Sequence, residues 1–184
     1  ALRFASERLR NHRALVLHAV GIEGTSLRYA SAILRRDRDV VLTAITTGRS
    51  GHALEYASED LRADREVVLA AIQMDGSVLR LAAKALREDY DFCLAALRVD
   101  WKAIHAVSSN LLRPPLVLLR SDADHSAGET QLALCRKLWM EAVTGCWEAL
   151  RFAPQQIRHD RLIVLEACQQ HGHALALAPQ PILD

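Results

Sequence analysis

The side chains with the richest chemistry lie near the C-terminus. Cys168, His171 and His173 form a C-x-x-H-x-H string, with His159 close by in sequence. A thiolate and imidazoles in such an order could hold a zinc-like ion. Against this, Cys168 stands where neighbouring copies of the same sequence pattern carry Ile45 and Ile72, and His173 stands where they carry His52 and Ser77. The string is therefore assigned to structure. Asp122, Asp124 and His125 could supply oxygen and nitrogen ligands, but their surroundings lack the glycine and distal glutamate of a calcium hand. Ser6, Ser31, Ser58 and Ser108 recur at equivalent sites, so none is a singular nucleophile. Glu59-Asp60 belongs to a solvated helix face, and neither a phosphate loop nor a dinucleotide fingerprint is present. No catalytic, cofactor-binding or metal-binding residue is predicted, and the chain is expected not to be an enzyme.

Two other sets of residues could bind rather than react. Arg10, Arg35, Arg62, Arg87 and Arg158 recur at equivalent positions, and evenly spaced guanidiniums could follow a phosphate backbone. All but Arg10 have an aspartate two residues later, so local ion pairs across the helix turn are the expected use. Trp101, Trp139 and Trp147 lie in or beside the least regular stretch. Large rings can fill gaps where repeat geometry changes, or anchor a partner. If a partner docks, the candidate contacts are Trp101, Trp139, Trp147, Arg10, Arg35 and Arg36.

All of these residues are placed by a repeat. ALRFASERLRNHRALVLHAV at 1–20 is followed by SLRYASAILRRDRDVVLTAI at 26–45, ALEYASEDLRADREVVLAAI at 53–72 and VLRLAAKALREDYDFCLAAL at 78–97. A worn copy occupies 103–119 and a good one 149–168. The units run near 1–25, 26–52, 53–77, 78–102, 103–120 and 149–173, with an irregular stretch at 121–148 and a partial copy at 174–184. Each unit predicts two short helices. Leu27, Ala30 and Leu34 share one face of the first; the second opens at an aspartate (Asp37, Asp64, Asp89, Asp160) suited to capping free amides. The run Val67–Ile72 is apolar on most sides, so Leu69 is expected in the core. Phe4, Tyr29, Tyr56 and Phe152, with Leu81 in the same place, are expected to form a ladder through that core. Gly24, Gly51, Gly76 and Gly172 mark chain reversals that need a permissive backbone. Pro114 and Pro115 could cap a shortened helix, 121–128 reads as a polar loop, and 129–143 has helical spacing. A unit of this length cannot bury its own apolar faces, so the fold class is all-α, an α-solenoid of tandem two-helix repeats of about 25 residues.

The string ALEYASEDLRADREVVLAAIQMDG, beside SLRYASAILRRDRDVVLTAI, resembles a helical-repeat family known only as a domain of unknown function, whose hallmark is a tandem A-L-x-Y-A-S-x-x-L-R-x-D-R-E-V-V-L-A-A-V unit. The likeness is close over 1–97 and 149–173 and weak over 103–147. It implies an all-helical repeat module and supplies no catalytic residue. The chain departs from the pattern at Pro114-Pro115 and over 121–148.

The 184 residues suit a single repeat domain, and with 51% hydrophobic residues the chain is no disordered tail. No apolar run reaches the ~18 residues needed to span a bilayer. A formal charge of +1 is far from the strongly basic balance of a dedicated nucleic-acid domain. The charge is nevertheless uneven, with nine basic and four acidic residues over 1–52 and two basic and six acidic over 53–77. Four cysteines without a C-x-x-C pair point to a reducing compartment, and Cys93 and Cys168 read as small core hydrophobes. Ala1 in place of Met points to a processed or trimmed piece. The expected function is a non-catalytic protein-protein interaction or scaffold module, a subunit or accessory domain of a larger assembly. Nucleic-acid (RNA) binding through the arginine columns is the alternative, and an enzyme or regulatory domain using residues 121–148 the third reading.

Overall fold

In the computed structural model, residues 2–113 and 125–178 are described, the side chains of 125–129 excepted. The described residues are all-helical, with no strand among them. The chain divides into two compact units, residues 1–87 and 88–184. Counting only helices of eight residues or more, the first unit contains α1 (Arg13–Ile22), α2 (Arg38–Thr46) and α3 (Arg65–Ile72), and the second α4 (Tyr90–Val99), α5 (His125–Gly145) and α6 (Arg161–Gln170).

Each numbered helix except α5, which lies in the irregular stretch, is the second helix of a repeat. The first helix is not continuous as expected. It splits into a 3-10 segment, such as Gly24–Tyr29, Gly51–Tyr56, Gly76–Leu81 or Trp147–Phe152, and then a single turn, such as Glu59–Arg62 or Gln155–Arg158. The break falls at an alanine held extended: Ala30, Ala57, Ala82 and Ala153 have ψ of 155°, 158°, 157° and 143°. The reason lies in the neighbouring repeat. The amide of Ser31 donates to the carbonyl of Arg10 (3.0 Å), that of Ser58 to Arg35 (3.0 Å), and that of Ala83 to Arg62 (2.9 Å). In an unbroken helix these amides would bond within their own segment; here they tie each repeat to the one before. Ser58 also caps the turn it opens, its Oγ accepting from the Leu61 amide at 3.4 Å. The equivalent residue of the 149–173 copy is Pro154, which has no amide hydrogen to donate.

The aspartate caps are formed as predicted. Asp37 Oδ1 accepts from the amides of Asp39 (3.0 Å) and Val40 (3.3 Å), and Asp64 Oδ1 from those of Glu66 (2.9 Å) and Val67 (3.1 Å). The ion pairs, however, differ from the local ones expected. They run between repeats: Arg13 reaches Asp37 at 2.7 Å and Asp39 at 2.9 Å, and Arg38 reaches Asp64 at 3.4 Å and also pairs with Glu66. In the second unit Arg136 of α5 pairs with Asp160, which caps α6. The bond from Arg13, with the Val40 and Asp39 amides, holds the Asp37 carboxyl below its ordinary pKa. Partial burial alone would raise that of Asp64, but the Val67 and Glu66 amides and Arg38 outweigh it and the net shift is downward. A carboxyl whose pKa falls on folding stabilises the fold above its unfolded pKa of about 3.9, and that contribution is lost as pH drops through the lower folded value. Stability is therefore expected to fall steeply below about pH 4. Asp64→Ala should cost ~1–2 kcal/mol at neutral pH through the lost cap and should flatten this acid limb in a pH series of urea melts.

Burial is repeat-periodic. In the first unit Leu27 and Leu54 are fully buried beneath α2 and α3, with Val40, Val41, Ala44 and Ile45 facing Val67, Val68, Ala71 and Ile72. Two expectations are corrected here. Leu69 is only half-buried, because an eight-residue helix lying on one stack of neighbours keeps one face toward water. The aromatic column is outside the core: Phe4 is 86% exposed and Phe152 53%, while Tyr29, Tyr56 and Leu81 are half-buried. Each follows the buried leucine (Leu2, Leu27, Leu54, Leu79, Leu150) by two positions, and a 3-10 segment of three residues per turn turns such a side chain away from the core.

The glycines are also corrected. No glycine among the described residues has positive φ. Gly24 and Gly51 are needed because the next helix packs on them: a Cβ there would lie 2.2 Å from the carbonyl oxygen of Ala44 and 2.8 Å from that of Ala71, respectively.

In the second unit α5 packs on α4 and α6. It starts at His125, earlier than the loop expected through 128. Residues 121–124, including Asp122 and Asp124, and Pro114-Pro115 lie outside the described residues, as does most of the partial C-terminal copy beyond Ala178. The end of α5 is tied down by Gln170, whose Nε2 donates to the carbonyls of Val143 (2.8 Å) and Thr144 (3.1 Å) and whose Oε1 accepts from the Trp147 amide (2.9 Å).

Candidate interaction surface

The displaced aromatic column makes a surface in the first unit. The successive 3-10 segments Leu2–Phe4, Gly24–Tyr29, Gly51–Tyr56 and Gly76–Leu81 pack side by side in chain order. Equivalent positions therefore form columns. One holds Phe4, Tyr29, Tyr56 and Leu81; the column beside it holds the preceding residues Arg3, Arg28, Glu55 and Arg80, all exposed. The Arg3 guanidinium carbon lies 5.5 Å from the Phe4 ring centroid, and that of Arg28 lies 4.4 Å from the Tyr29 ring. Arg28 also donates to the Tyr29 hydroxyl, the main reason its pKa is raised, with a smaller contribution from Tyr56. Among the described residues Glu55 and Arg80 form no ion pair. Sequence reasoning missed this surface. The A-L-x-Y spacing carries it, because a residue two positions after the buried leucine is turned well off the buried face in a 3-10 or an α segment alike.

The arginines singled out from sequence sit differently. Arg10 is half-buried, with Nε donating to the Ala5 carbonyl (3.0 Å) and Nη2 to that of Arg3 (3.1 Å). Arg35, Arg62 and Arg158 are also half-buried, each with an Nε closed off from water. Arg36 is exposed and reaches Asp60 of the next repeat at 3.3 Å. The tryptophans all belong to the second unit. Trp139 is 3% exposed and its Nε1 donates to the Leu112 carbonyl (3.2 Å). Trp101 is half-buried against Gly145, where a Cβ would come within 3.1 Å of its own Cβ. Trp147 stacks on His171 with ring centroids 5.1 Å apart. Ile104, Leu112, Trp139 and Phe152, with His105 and Arg113, line a cavity of about 390 Å3.

His171 Nδ1 accepts from the His173 amide at 3.4 Å, Cys168 is half-buried rather than in the core, and His159 bonds the Gln155 carbonyl at 2.7 Å. Among the described residues no three His, Cys, Asp or Glu side chains are grouped to hold a metal ion. Burial pushes the Cys93 thiol up to about 12 and that of Cys135 up to about 11, which leaves both protonated and unreactive near neutrality. No helix among the described residues is long and apolar enough to cross a membrane.

Compared with known families, the sequence matches Domain of unknown function (DUF4116) five times, at residues 1–35, 15–62, 37–87, 64–112 and 135–183. The chain belongs to this family. Each of the four longer DUF4116 matches is about twice the 25-residue period in length, so the family's unit of description spans about two repeats, and the gap between the last two takes in the start of the irregular stretch. No curated protein and no solved structure matches the chain.

Proposed function

We propose that this DUF4116 chain is a non-catalytic protein-interaction module, acting as a subunit or accessory domain of a larger assembly. One observation carries the reading: the first unit presents apolar and aromatic side chains to solvent at the same position of every repeat, beside a column of exposed charge. Surfaces that repeat in this way are the means by which stacked-helix arrays bind other chains, and exposed aromatic groups are favoured interface anchors. The RNA-binding alternative draws less support, because Arg10 and Arg35 are engaged with their own backbone or half-buried and Arg36 is paired with Asp60.

Photo-crosslinking in the cells that make the protein tests this. A benzoylphenylalanine at Tyr56 is expected to join the chain to one or a few discrete proteins. The same label at exposed Gln73, at the end of α3, should not. Equal capture at both positions, or none at Tyr56, overturns the reading.

A further inference from the structure

We propose that the paired columns of the first unit bind an extended peptide segment of a partner protein, read one side chain per repeat, acidic opposite Arg3, Arg28 and Arg80 and basic opposite Glu55. This rests on the interaction reading above and specifies the partner's chemistry. The charge column supplies the argument. It is Arg, Arg, Glu, Arg along four successive repeats, and its members stand exposed beside half-buried or exposed aromatic and apolar side chains. Complementary charge across such a face fixes register and rejects mismatched partners. The apolar column (Phe4, Tyr29, Tyr56, Leu81) provides area for the intervening side chains of the peptide.

The spacing matches a chain extended as a polyproline II helix. Packed helices lie ~8–10 Å apart, and such a chain advances ~3.1 Å per residue with three residues per turn, so every third peptide residue meets the next repeat on the same face. The recognised pattern is then acidic-x-x-acidic-x-x-basic-x-x-acidic, in either chain direction, a segment of roughly ten residues. A single-stranded nucleic acid fits the column less well. A polyanion following it would meet Glu55 in the third position, within a stretch (53–77) of six acidic against two basic residues.

The test is selection of random twelve-residue peptides displayed on phage against the full 184-residue chain. Enriched peptides are expected to carry the acidic residues and the single basic residue at intervals of three. Their binding should weaken at least tenfold with Arg28→Glu, and selection against Glu55→Arg should replace the basic residue by an acidic one. Both positions are exposed, and unchanged helical circular dichroism will establish that the variants fold. Peptides that enrich without this charge pattern, or that bind both variants as well as the parent, overturn the charge-reading proposal and leave the interaction reading to the crosslinking result. Failure to enrich any peptide also overturns it. Salt-sensitive binding of a labelled oligouridine that Arg28→Glu abolishes would overturn it in favour of RNA.

Discussion

Gly24→Ala is expected to lower stability by about 3 kcal/mol or more, at the upper end of overpacking effects. The new Cβ would sit 2.2 Å from the Ala44 carbonyl oxygen, 2.8 Å from Ser50 Cβ and 3.1 Å from the Ala44 carbonyl carbon. The oxygen and carbon are backbone atoms held in α2, so no rotamer change can relieve the contact. The 3-10 segment Gly24–Tyr29 would have to lift off α2, uncovering Leu27 and the apolar side chains beneath it. Gly172→Ala is the matched control. It occupies the equivalent position in the last repeat, but nothing among the described residues lies within 4 Å of its added Cβ. Its effect should stay within about 0.5 kcal/mol, the ordinary range for a surface change. Urea unfolding of the two variants measures both. Equal midpoints would show that the close approach between repeats is not what Gly24 serves.

Ile72→Ala should cost ~2–5 kcal/mol, and Leu69→Ala on the same helix distinctly less. Ile72 is fully buried among the helices of the first unit, whereas Leu69 keeps part of its side chain in water in both folded and unfolded states. Removal of Ile72 leaves a cavity that rigid neighbours cannot fill, because α3 is tied to α2 by the Arg38–Asp64 ion pair and its repeat to the preceding one by the bond from the Ser58 amide to the Arg35 carbonyl. Thermal or urea melts of the two variants test this. A Leu69 variant that loses as much as the Ile72 variant would mean that α3 is rotated relative to the face described.

The repeat period and the aspartate caps were legible in the residues because both are local. A cap needs only an acceptor two or three residues before a free amide, and Asp37, Asp64, Asp89 and Asp160 carry that signal within their own segments. Stacking was legible because no unit of this length can shelter Val67, Val68, Ala71 and Ile72 alone. The break in each first helix was not. The spacing of Leu27, Ala30 and Leu34 reads as one continuous helix, but Gly24–Tyr29 winds at three residues per turn and stops at an extended alanine. The outward aromatic column follows from spacing alone, since a residue two positions after a buried leucine is turned roughly 160° from it in an α-helix and roughly 120° in a 3-10 segment. The break is made by a neighbour. The carbonyl of Arg10 accepts from Ser31, and that of Arg35 from Ser58, 21 and 23 residues away in sequence.

The ion pairs and glycines follow the same division. Their residue types are written in the string, and adjacent charges suggested bridges within a turn. Distance in space decided otherwise, bringing Arg13 to Asp37 and Arg38 to Asp64 across the junction of two repeats. The glycine positions suggested a turn, whereas the close approach of Ala44 and Ala71 carbonyls is what excludes a side chain at Gly24 and Gly51. Periodicity, capping and the need to stack are properties of one segment and its composition, so they could be read from the amino acids in order. The break in each first helix, the partner of each arginine and the tolerance at each glycine depend on what a neighbouring repeat places within a few ångströms, and only the folded stack settles that.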